Sequence, residues 1–264
     1  MIPSPEAATE LVHLLLAARE SGAPLAMPQW LAEGVTAQEA YAIQSEHAHA
    51  LLGRSGGTIL GWKIGGGDMA TMQKAGFTGP GRGPIFSSLT FESPATLRRD
   101  GFLACIVEAE IGVVIGKDID KPEDAEDIAG KVAAIVPCIE IADARFADFA
   151  KRPISAVIAD LGYSGAWVRG QQVSDWSRVD LSKLHVRLLA NGVEVRQGTG
   201  GLAMGDPFAP LRLLAADLAR AGKGLKAGQV VSTGTYVMPY FAQAGESVTA
   251  DFGQLGQVSA TFTS

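Results

Sequence analysis

The chain has 264 residues, of which 47% are hydrophobic, and a formal net charge of −6. This length predicts one large domain or two small ones. Without a cluster of basic residues, the chain lacks the charge pattern of a nucleic-acid-binding protein. No apolar stretch reaches the 18 or so residues that span a bilayer, and the N-terminus lacks the basic segment of a secretory signal. We therefore expect a cytoplasmic protein with no membrane and no nucleic-acid partner.

The first third of the chain carries mainly helical patterns. Apolar residues recur at helical spacing over residues 5–21, which predicts a helix there. The segment Thr36–Glu39 has the capping-box pattern that begins a second helix, and this helix is expected to run to about Leu52. A strand is predicted over residues 58–65, followed by a loop rich in glycine and proline over residues 76–84.

From about residue 85 the patterns indicate mainly strands. The pair Asn191-Gly192 lies between residues 184–190 and 193–197, which is a strong signal for a two-residue β-hairpin. Three more strands are predicted at Val230–Ser232, Ser247–Phe252 and Gln257–Phe262, and two helices near Glu123–Ala134 and Pro207–Ala221. The order is typical of an α+β protein in which a mixed sheet or roll follows a small helical N-terminal part.

Two glutamates interrupt an otherwise apolar stretch, residues 105–115. In a strand, Glu108 and Glu110 would point to the same face, about 7 Å apart. Glu140 stands in a second apolar stretch, residues 135–141. Buried like charges are costly without a partner, and hard divalent cations such as Mg²⁺ take oxygen ligands, so the three carboxylates predict a metal site. The alternative is the solvated face of an edge strand, because antiparallel sheets alternate in the same way.

Other polar residues stand where they could act on a substrate. Lys63 lies inside an apolar strand, where it could bind a carboxylate or transfer a proton, or reach solvent from a sheet edge. Thr233 and Gly234 end a strand and could offer a hydroxyl and an N–H to an anion, or form a plain turn. Asp143 could orient a metal ligand or Arg145, or be a turn residue paired with Arg145.

Several other kinds of site are absent from the sequence. There is no G-x-S-x-G nucleophile elbow and no glycine-rich phosphate or dinucleotide fingerprint. The two cysteines do not form a CxxC pair, which argues against structural zinc. The four histidines lie in predicted helices and at the start of a hairpin strand, where we expect them to be structural.

An ordered set of short segments resembles a known family. The segments are Gly61–Gly65, Val107–Ile111, Pro137–Ile141, Ser232–Gly234, Ala244–Glu246 and Leu255–Val258. In order and spacing, over roughly residues 36–263, the chain resembles the 2-keto-4-pentenoate hydratase and 4-oxalocrotonate decarboxylase group of the fumarylacetoacetate hydrolase superfamily.

This resemblance implies a fold and a division of the chain. The expected fold is the mixed β-roll of the fumarylacetoacetate hydrolase C-terminal region. Residues 85–264 would form the metal-binding catalytic domain, and residues 1–84 a mainly helical part that includes the strand of Lys63. The resemblance also implies a homo-oligomer, with a possible complex between hydratase and decarboxylase partners.

The resemblance further implies the chemistry of the site. It places Mg²⁺ or Mn²⁺ on Glu108, Glu110 and Glu140, Lys63 in the active site, and Thr233 near the substrate carboxylate. The substrates would be 2-oxo or 2-hydroxydienoic acids from the meta-cleavage of aromatic rings. The ion would act as a Lewis acid and Lys63 would move protons during ketonisation, before water adds to give a 4-hydroxy-2-oxo acid.

Two positions depart from the family pattern. Hydratases of this group commonly have an acidic residue in the loop where this chain has residues 79–83, so that carboxylate is missing here. Arg82 in this loop suggests a more anionic substrate, such as a dicarboxylate. Asp160 is followed by Leu161 where family members often have an Asp-Asn pair, and we carry Asp160 over as a catalytic candidate together with Asp143.

Four functions follow from these observations. The first is a metal-dependent hydratase acting on 2-hydroxydienoates, and the second is a decarboxylase for an oxalocrotonate-like diacid at the same site. The third is a C–C hydrolase of the acylpyruvate type. That chemistry needs a His–Glu pair near the metal, and it ranks lower because the histidines of this chain do not obviously supply one. The fourth is a non-catalytic partner that has kept the fold.

Overall fold

The computed structural model describes residues 4–65, 69–200, 206 and 208–264. The helices are α1 (Pro5–Ser21), α2 (Gln29–Ala32), α3 (Ala37–Ser55), α4 (Met69–Lys74), α5 (Ile154–Ala159) and α6 (Phe208–Arg220). The strands are β1 (Ile59–Gly65), β2 (Gly81–Phe86), β3 (Thr90–Glu92), β4 (Ala95–Arg98), β5 (Ile106–Ile115), β6 (Val132–Ala142), β7 (Ser164–Arg169), β8 (His185–Ala190), β9 (Val193–Thr199), β10 (Val230–Thr235), β11 (Tyr240–Phe241), β12 (Ser247–Asp251) and β13 (Gln257–Thr263). Among the described residues, no helix combines the length and the apolar character needed to cross a membrane.

Two mixed sheets form the body of the molecule. The larger has the order β2-β1-β10-β5-β6-β7-β3, with β11 added to β5, and the smaller has the order β4-β13-β12-β8-β9. Long strands β5 and β6 pair antiparallel at the centre of the larger sheet, with Glu108 opposite Glu140. The expected α+β class with a mixed β-roll is confirmed. The predicted domain boundary between residues 84 and 85 falls inside β2 and stays a prediction.

Alternation along the central strands separates an apolar face from an acidic one. Val107, Ala109 and Ile111 belong to the main core, which is shared with the smaller sheet. Because side chains alternate across a strand, Glu108 and Glu110 point to the opposite face. The apolar core therefore fixes which residues can meet on the acidic face.

The helical N-terminal part packs on the edge of the larger sheet. Leucines of α1 form one buried cluster with residues of α3, α5 and β2. The capping box is present, because Thr36 Oγ1 accepts the N–H of Glu39 at 3.2 Å and Glu39 Oε2 accepts the N–H of Thr36 at 2.8 Å. Both predicted N-terminal helices are confirmed, with the second running three residues further than expected.

Most of the predicted later elements are also found. The hairpin between β8 and β9 turns at Asn191 and Gly192, with φ of 49° and 79°, as a type I′ turn requires. The strands near residues 230, 247 and 257 form as expected, and the last helix occupies Phe208–Arg220. Pro207, where this helix was predicted to begin, lies outside the described residues.

The helix predicted near Glu123–Ala134 is wrong. Residues 122–125 and 129–131 form short 3₁₀ turns, and β6 begins at Val132. Side chains cap these turns locally, since Asp124 Oδ2 accepts the N–H of Lys121 at 3.1 Å. Such local hydrogen bonds compete with a continuous helix, and the β-rich sequence after residue 131 is paired on both sides in the sheet.

A buried arginine joins the end of α5 to the segment that follows β6. Arg145 is fully buried and donates through Nε to Asp160 Oδ1 at 2.6 Å and through Nη1 to Asp143 Oδ2 at 3.5 Å. His47 of α3 contacts the carbonyl of Ala159 at 3.1 Å. Burial, together with the positive charge of Arg145, lowers the pKa of His47 to about 3, so this histidine is neutral.

We predict that Arg145→Met destabilises the protein by about 3–5 kcal/mol, because two buried carboxylates lose their cation. The free energy of unfolding should be measured by urea denaturation followed by circular dichroism. Arg98→Met is the control, since Arg98 pairs with Asp100 on the surface, where such pairs contribute little. Equal midpoints for the two variants would contradict this role of Arg145.

Candidate metal centre and active site

Three glutamates meet on one face of the larger sheet. Glu108 and Glu140 are directly opposite in the antiparallel pair β5–β6, where side chains are close neighbours. Glu110 follows on the same face and is opposite Cys138. Glu110 and Glu140 are 1% and 2% exposed, so the alternative of a solvated edge strand does not apply to them.

Lys63 reaches the same face from β1. The register places Lys63 beside Ser232 of β10, and Ser232 beside Gly112 of β5. Lys63 is buried and its Nζ donates a hydrogen bond to Glu140 Oε1. The structure therefore brings the predicted lysine and the predicted carboxylates together, through strands that are far apart in the sequence.

Glu110 is held in place by residues of β10. Ser232 Oγ donates to Glu110 Oε2 at 2.6 Å, and the N–H of Gly234 donates to the same oxygen at 3.1 Å. The sequence analysis included Ser232 in a motif but gave it no role. Its signal was a small hydroxyl residue within an apolar strand, which is too common to single out without the strand pairing.

Burial and mutual repulsion perturb the titration of this group. Burial and the charge of Glu140 raise the pKa of Glu108 to about 7. The same causes, with the charge of Glu108, raise the pKa of Glu110 well above its ordinary value. Burial by itself would lower the pKa of Lys63, but the charges of Glu140, Glu108 and Glu110 raise it overall. Lys63 is therefore protonated at neutral pH.

The donor set fits a hard divalent cation. Three carboxylates face a single ammonium, and Glu140 Oε2 is a buried atom without a hydrogen-bond partner among the described residues. Across the same residues, no three acidic, histidine or cysteine side chains already have the arrangement of a formed metal site. Glu140 Oε1 is bonded to Lys63, and Glu110 Oε2 is bonded to Ser232.

A cleft opens beside Glu108 and Lys63. Its volume is about 620 Å³, within the range of small-molecule sites. The side chains that line it include Ile106, Glu108, Lys63, Phe149, Arg152, Val157, Tyr163, Met238 and Phe241. The cleft thus joins a mainly apolar wall to the acidic group and to two cations.

Thr233 and Gly234 lie next to the carboxylates, but both already have partners. The hydroxyl of Thr233 is buried and donates to the carbonyl of Ile111 at 2.9 Å. The N–H of Gly234 is bonded to Glu110. In this arrangement they position β10 and Glu110, and binding of a substrate carboxylate by either residue stays a prediction.

Asp143 and Asp160 do not face the cleft. Asp143 Oδ1 accepts the N–H of Ala104 at 2.7 Å, and both aspartates bond to Arg145. The prediction that Asp143 pairs with Arg145 matches these contacts. The structure gives both aspartates the role of holding the buried arginine, and neither is among the residues that line the cleft.

Arg82 lies on the face of the sheet opposite Lys63, and binding of substrate by this residue stays a prediction. It pairs with Ile64 across β1 and β2, so its side chain points to the face opposite Lys63. Its Nη1 donates to Asp217 of α6 at 2.6 Å, and its guanidinium lies 3.9 Å from the ring centre of Tyr41. The sequence analysis missed Arg152, the arginine that does line the cleft.

Comparisons with known proteins show the family of this chain. The family described as "Fumarylacetoacetate (FAA) hydrolase C-terminal" matches residues 77–263. A 2-keto-4-pentenoate hydratase of Paraburkholderia xenovorans is 29% identical over 262 residues, which cover 99% of this chain and 97% of the relative. Another 2-keto-4-pentenoate hydratase, from Burkholderia vietnamiensis, is 30% identical over 93% of this chain and 94% of its own length.

A solved structure shares the whole fold. The 4-oxalocrotonate decarboxylase of Pseudomonas putida G7, complexed with magnesium and adipate, superposes with a TM-score of 0.88 at 26% identity, over 98% of each chain. The resemblance inferred from short segments is therefore confirmed along almost the full length. This chain belongs to the fumarylacetoacetate hydrolase family.

Proposed function

We propose that this protein is a divalent-metal-dependent hydratase that adds water to a 2-hydroxy-2,4-dienoate and yields a 4-hydroxy-2-oxo acid. The observation that carries the proposal is the shared face of Glu108, Glu110, Glu140 and Lys63, next to a cleft of small-molecule size. Relatives named as 2-keto-4-pentenoate hydratases, aligned over nearly the whole chain, support it.

The carboxylates would hold the cofactor, and the ion is expected to be Mg²⁺ or Mn²⁺. A bound divalent ion would supply Lewis acidity toward the oxygens of a 2-oxo acid. Glu140, which accepts a hydrogen bond from Lys63, would contribute to the site of the ion, and Ser232 would keep Glu110 oriented. The magnesium complex of the structurally similar decarboxylase supports this ion class.

Lys63 would provide the proton transfer. Its raised pKa keeps a proton on Nζ. Its side chain extends from β1 and lines the cleft. A protonated lysine at that position can donate to the terminal carbon of the dienol, and the proton that the 2-hydroxyl loses during ketonisation can return to the lysine. Net addition of one water molecule then places a hydroxyl on C4 and a hydrogen on C3.

Decarboxylation of an unsaturated diacid is the second candidate. The observation that favours it is the TM-score of 0.88 with the 4-oxalocrotonate decarboxylase. Both reactions pass through an electron-rich dienol at the same end of the substrate, so the residues around the carboxylates suit either one. Assembly into a homo-oligomer, or into a complex of hydratase and decarboxylase partners, stays a prediction of the family resemblance.

The deciding experiment uses metal-stripped protein with and without Mg²⁺ or Mn²⁺. We expect metal-dependent loss of the ultraviolet absorbance of 2-hydroxypenta-2,4-dienoate without release of CO₂, and no turnover by Glu108→Ala. Release of CO₂ from 2-oxo-3-hexenedioate would move the assignment to the decarboxylase. Absence of both reactions in metal-loaded protein would overturn the proposal.

We predict that Lys63→Met separates metal binding from turnover. The variant removes a cation that competes for Glu140, so Mn²⁺ affinity measured by titration calorimetry should be equal or higher. The rate constant kcat should fall by about 100-fold to 10,000-fold, as expected for loss of a general acid. Weaker Mn²⁺ binding would contradict the assigned roles, and so would an unchanged kcat.

We predict that Ser232→Ala weakens Mn²⁺ binding by about 10-fold to 100-fold, because a hydrogen bond that orients a ligand is lost. Ser259→Ala is the matched control, since Ser259 lies on β13 in the smaller sheet and contacts Thr249. Titration calorimetry of both variants gives the comparison. Equal affinities would show that Ser232 does not orient Glu110 for the ion.

The raised pKa of Glu108, about 7 against an ordinary 4.5, predicts a pH-dependent metal affinity. Because the ion binds the ionised carboxylate, apparent Mn²⁺ affinity should rise at least about tenfold between pH 6 and pH 8. In protein without added metal, protonation of Glu108 stabilises the fold, because the pKa is higher in the folded chain than in the unfolded chain. This contribution is complete below the ordinary pKa of 4.5 and is lost as the pH rises through about 7. Added Mn²⁺ should therefore raise Tm more at pH 8 than at pH 6.

The control for this pH dependence is Glu108→Gln, in which the titrating carboxyl is removed. Its residual Mn²⁺ affinity should vary less steeply with pH than that of the original protein. A dissociation constant that is the same at pH 6 and pH 8 in the original protein would contradict the assignment of Glu108 as a ligand.

A further inference from the structure

An arginine lies in the same cleft as the acidic group. Arg152 stands two residues before α5 and lines the cleft together with Lys63 and Glu108. Its side chain is 13% exposed, so the guanidinium is largely withdrawn from solvent. A mostly buried arginine needs partners for its five N–H donors, and the partners it has indicate what else it can bind.

The contacts of Arg152 within the protein are weak. Its Nη2 lies 3.7 Å from Asp148 Oδ2, and the Asp148 side chain is 84% exposed. Among the described residues, the buried Nε of Arg152 has no hydrogen-bond partner. The guanidinium also lies 5.8 Å from the ring centre of Phe146. Arg152 therefore has N–H donors available for a second anion.

The charges around the cleft favour an anion at Arg152. With a divalent ion in place, the three glutamates and Lys63 would carry no net charge. The carboxylate of a 2-oxo acid would then add one negative charge at the metal end. Arg152 retains a positive charge, and its ion pair in the described part of the chain is with the solvated Asp148. Arginine binds carboxylates through paired hydrogen bonds.

The wall of the cleft suits a carbon chain. Ile106, Phe149, Val157 and Tyr163 line it together with the charged groups. An unsaturated chain with one polar end at the metal would contact apolar side chains along its length. A second carboxylate on such a chain would need a cation. Among the described residues that line the cleft, Lys63 and Arg152 carry a positive charge.

We propose that Arg152 binds a second, distal carboxylate, and that the preferred substrate is an unsaturated 2-oxo dicarboxylate. This inference rests on the proposed function and specifies its substrate class. Arg152 takes the role that the sequence analysis gave to Arg82, whose guanidinium is bonded to Asp217 on the other face of the sheet.

The test compares two ligands that differ only at the far end, 2-oxohexanedioate and 2-oxohexanoate. Their affinities for the Mn²⁺-loaded protein are measured by titration calorimetry. We expect the diacid to bind about 10-fold to 100-fold more tightly, in the range of a charge-assisted hydrogen bond. Arg152→Gln should remove this preference by weakening the diacid alone, and Arg152→Lys should retain part of it.

Lys151→Gln is the matched control, because it removes the same charge from the neighbouring, exposed residue. It should leave both affinities unchanged. Unchanged binding of the monoacid by Arg152→Gln shows that the variant is folded and metal-loaded. Equal binding of both ligands by the original protein would overturn the role of Arg152 while leaving the hydratase proposal in place. Failure of both ligands to bind would overturn the two proposals together.

Discussion

The organisation of this protein depends on the antiparallel register of β5 and β6. Pairing Glu108 with Glu140 gathers like charges on one face, an arrangement that is unfavourable by itself. The opposite faces of the same strands are apolar and packed against the smaller sheet. Since a slip of one residue would exchange the two faces, burial of Val107 and Ile139 fixes the carboxylates where they repel each other. The fold thus supports a charge arrangement that a cation can relieve.

Lys63 offsets part of this negative charge. Its ammonium compensates Glu140, while Ser232 and Gly234 stabilise Glu110 through hydrogen bonds. Glu108 depends on the proton that its raised pKa retains. The three carboxylates are therefore stabilised in three ways, by an ion pair, by hydrogen bonds and by a bound proton. Binding of a metal ion would change these interactions. In the proposed reaction, the ammonium of Lys63 would then act on the substrate.

The sequence was sufficient for features that depend on local pattern. The alternation around Glu108, the capping box at Thr36 and the hairpin at Asn191 are decided by neighbouring residues, and the structure contains all of them. Features that depend on which strands pair were not accessible from local pattern, and the meeting of Lys63 with the carboxylates was expected from the family resemblance alone. Arg82 is next to the Lys63 strand, yet pairing with Ile64 turns it to the other face. Arg152 carries no periodic signal, and only the tertiary fold brings it to the cleft.

Binding of a distal carboxylate at Arg152 bears on the choice between hydration and decarboxylation. Loss of CO₂ from that end would move the negative charge away from Arg152 toward the metal end of the cleft. An ion pair there is stronger in the ground state than in the transition state, and such an interaction slows the step. Hydration leaves the distal carboxylate charged throughout, so the same ion pair positions the substrate without opposing the reaction. With Arg152 so placed, the cleft favours a hydratase of dicarboxylates over a decarboxylase.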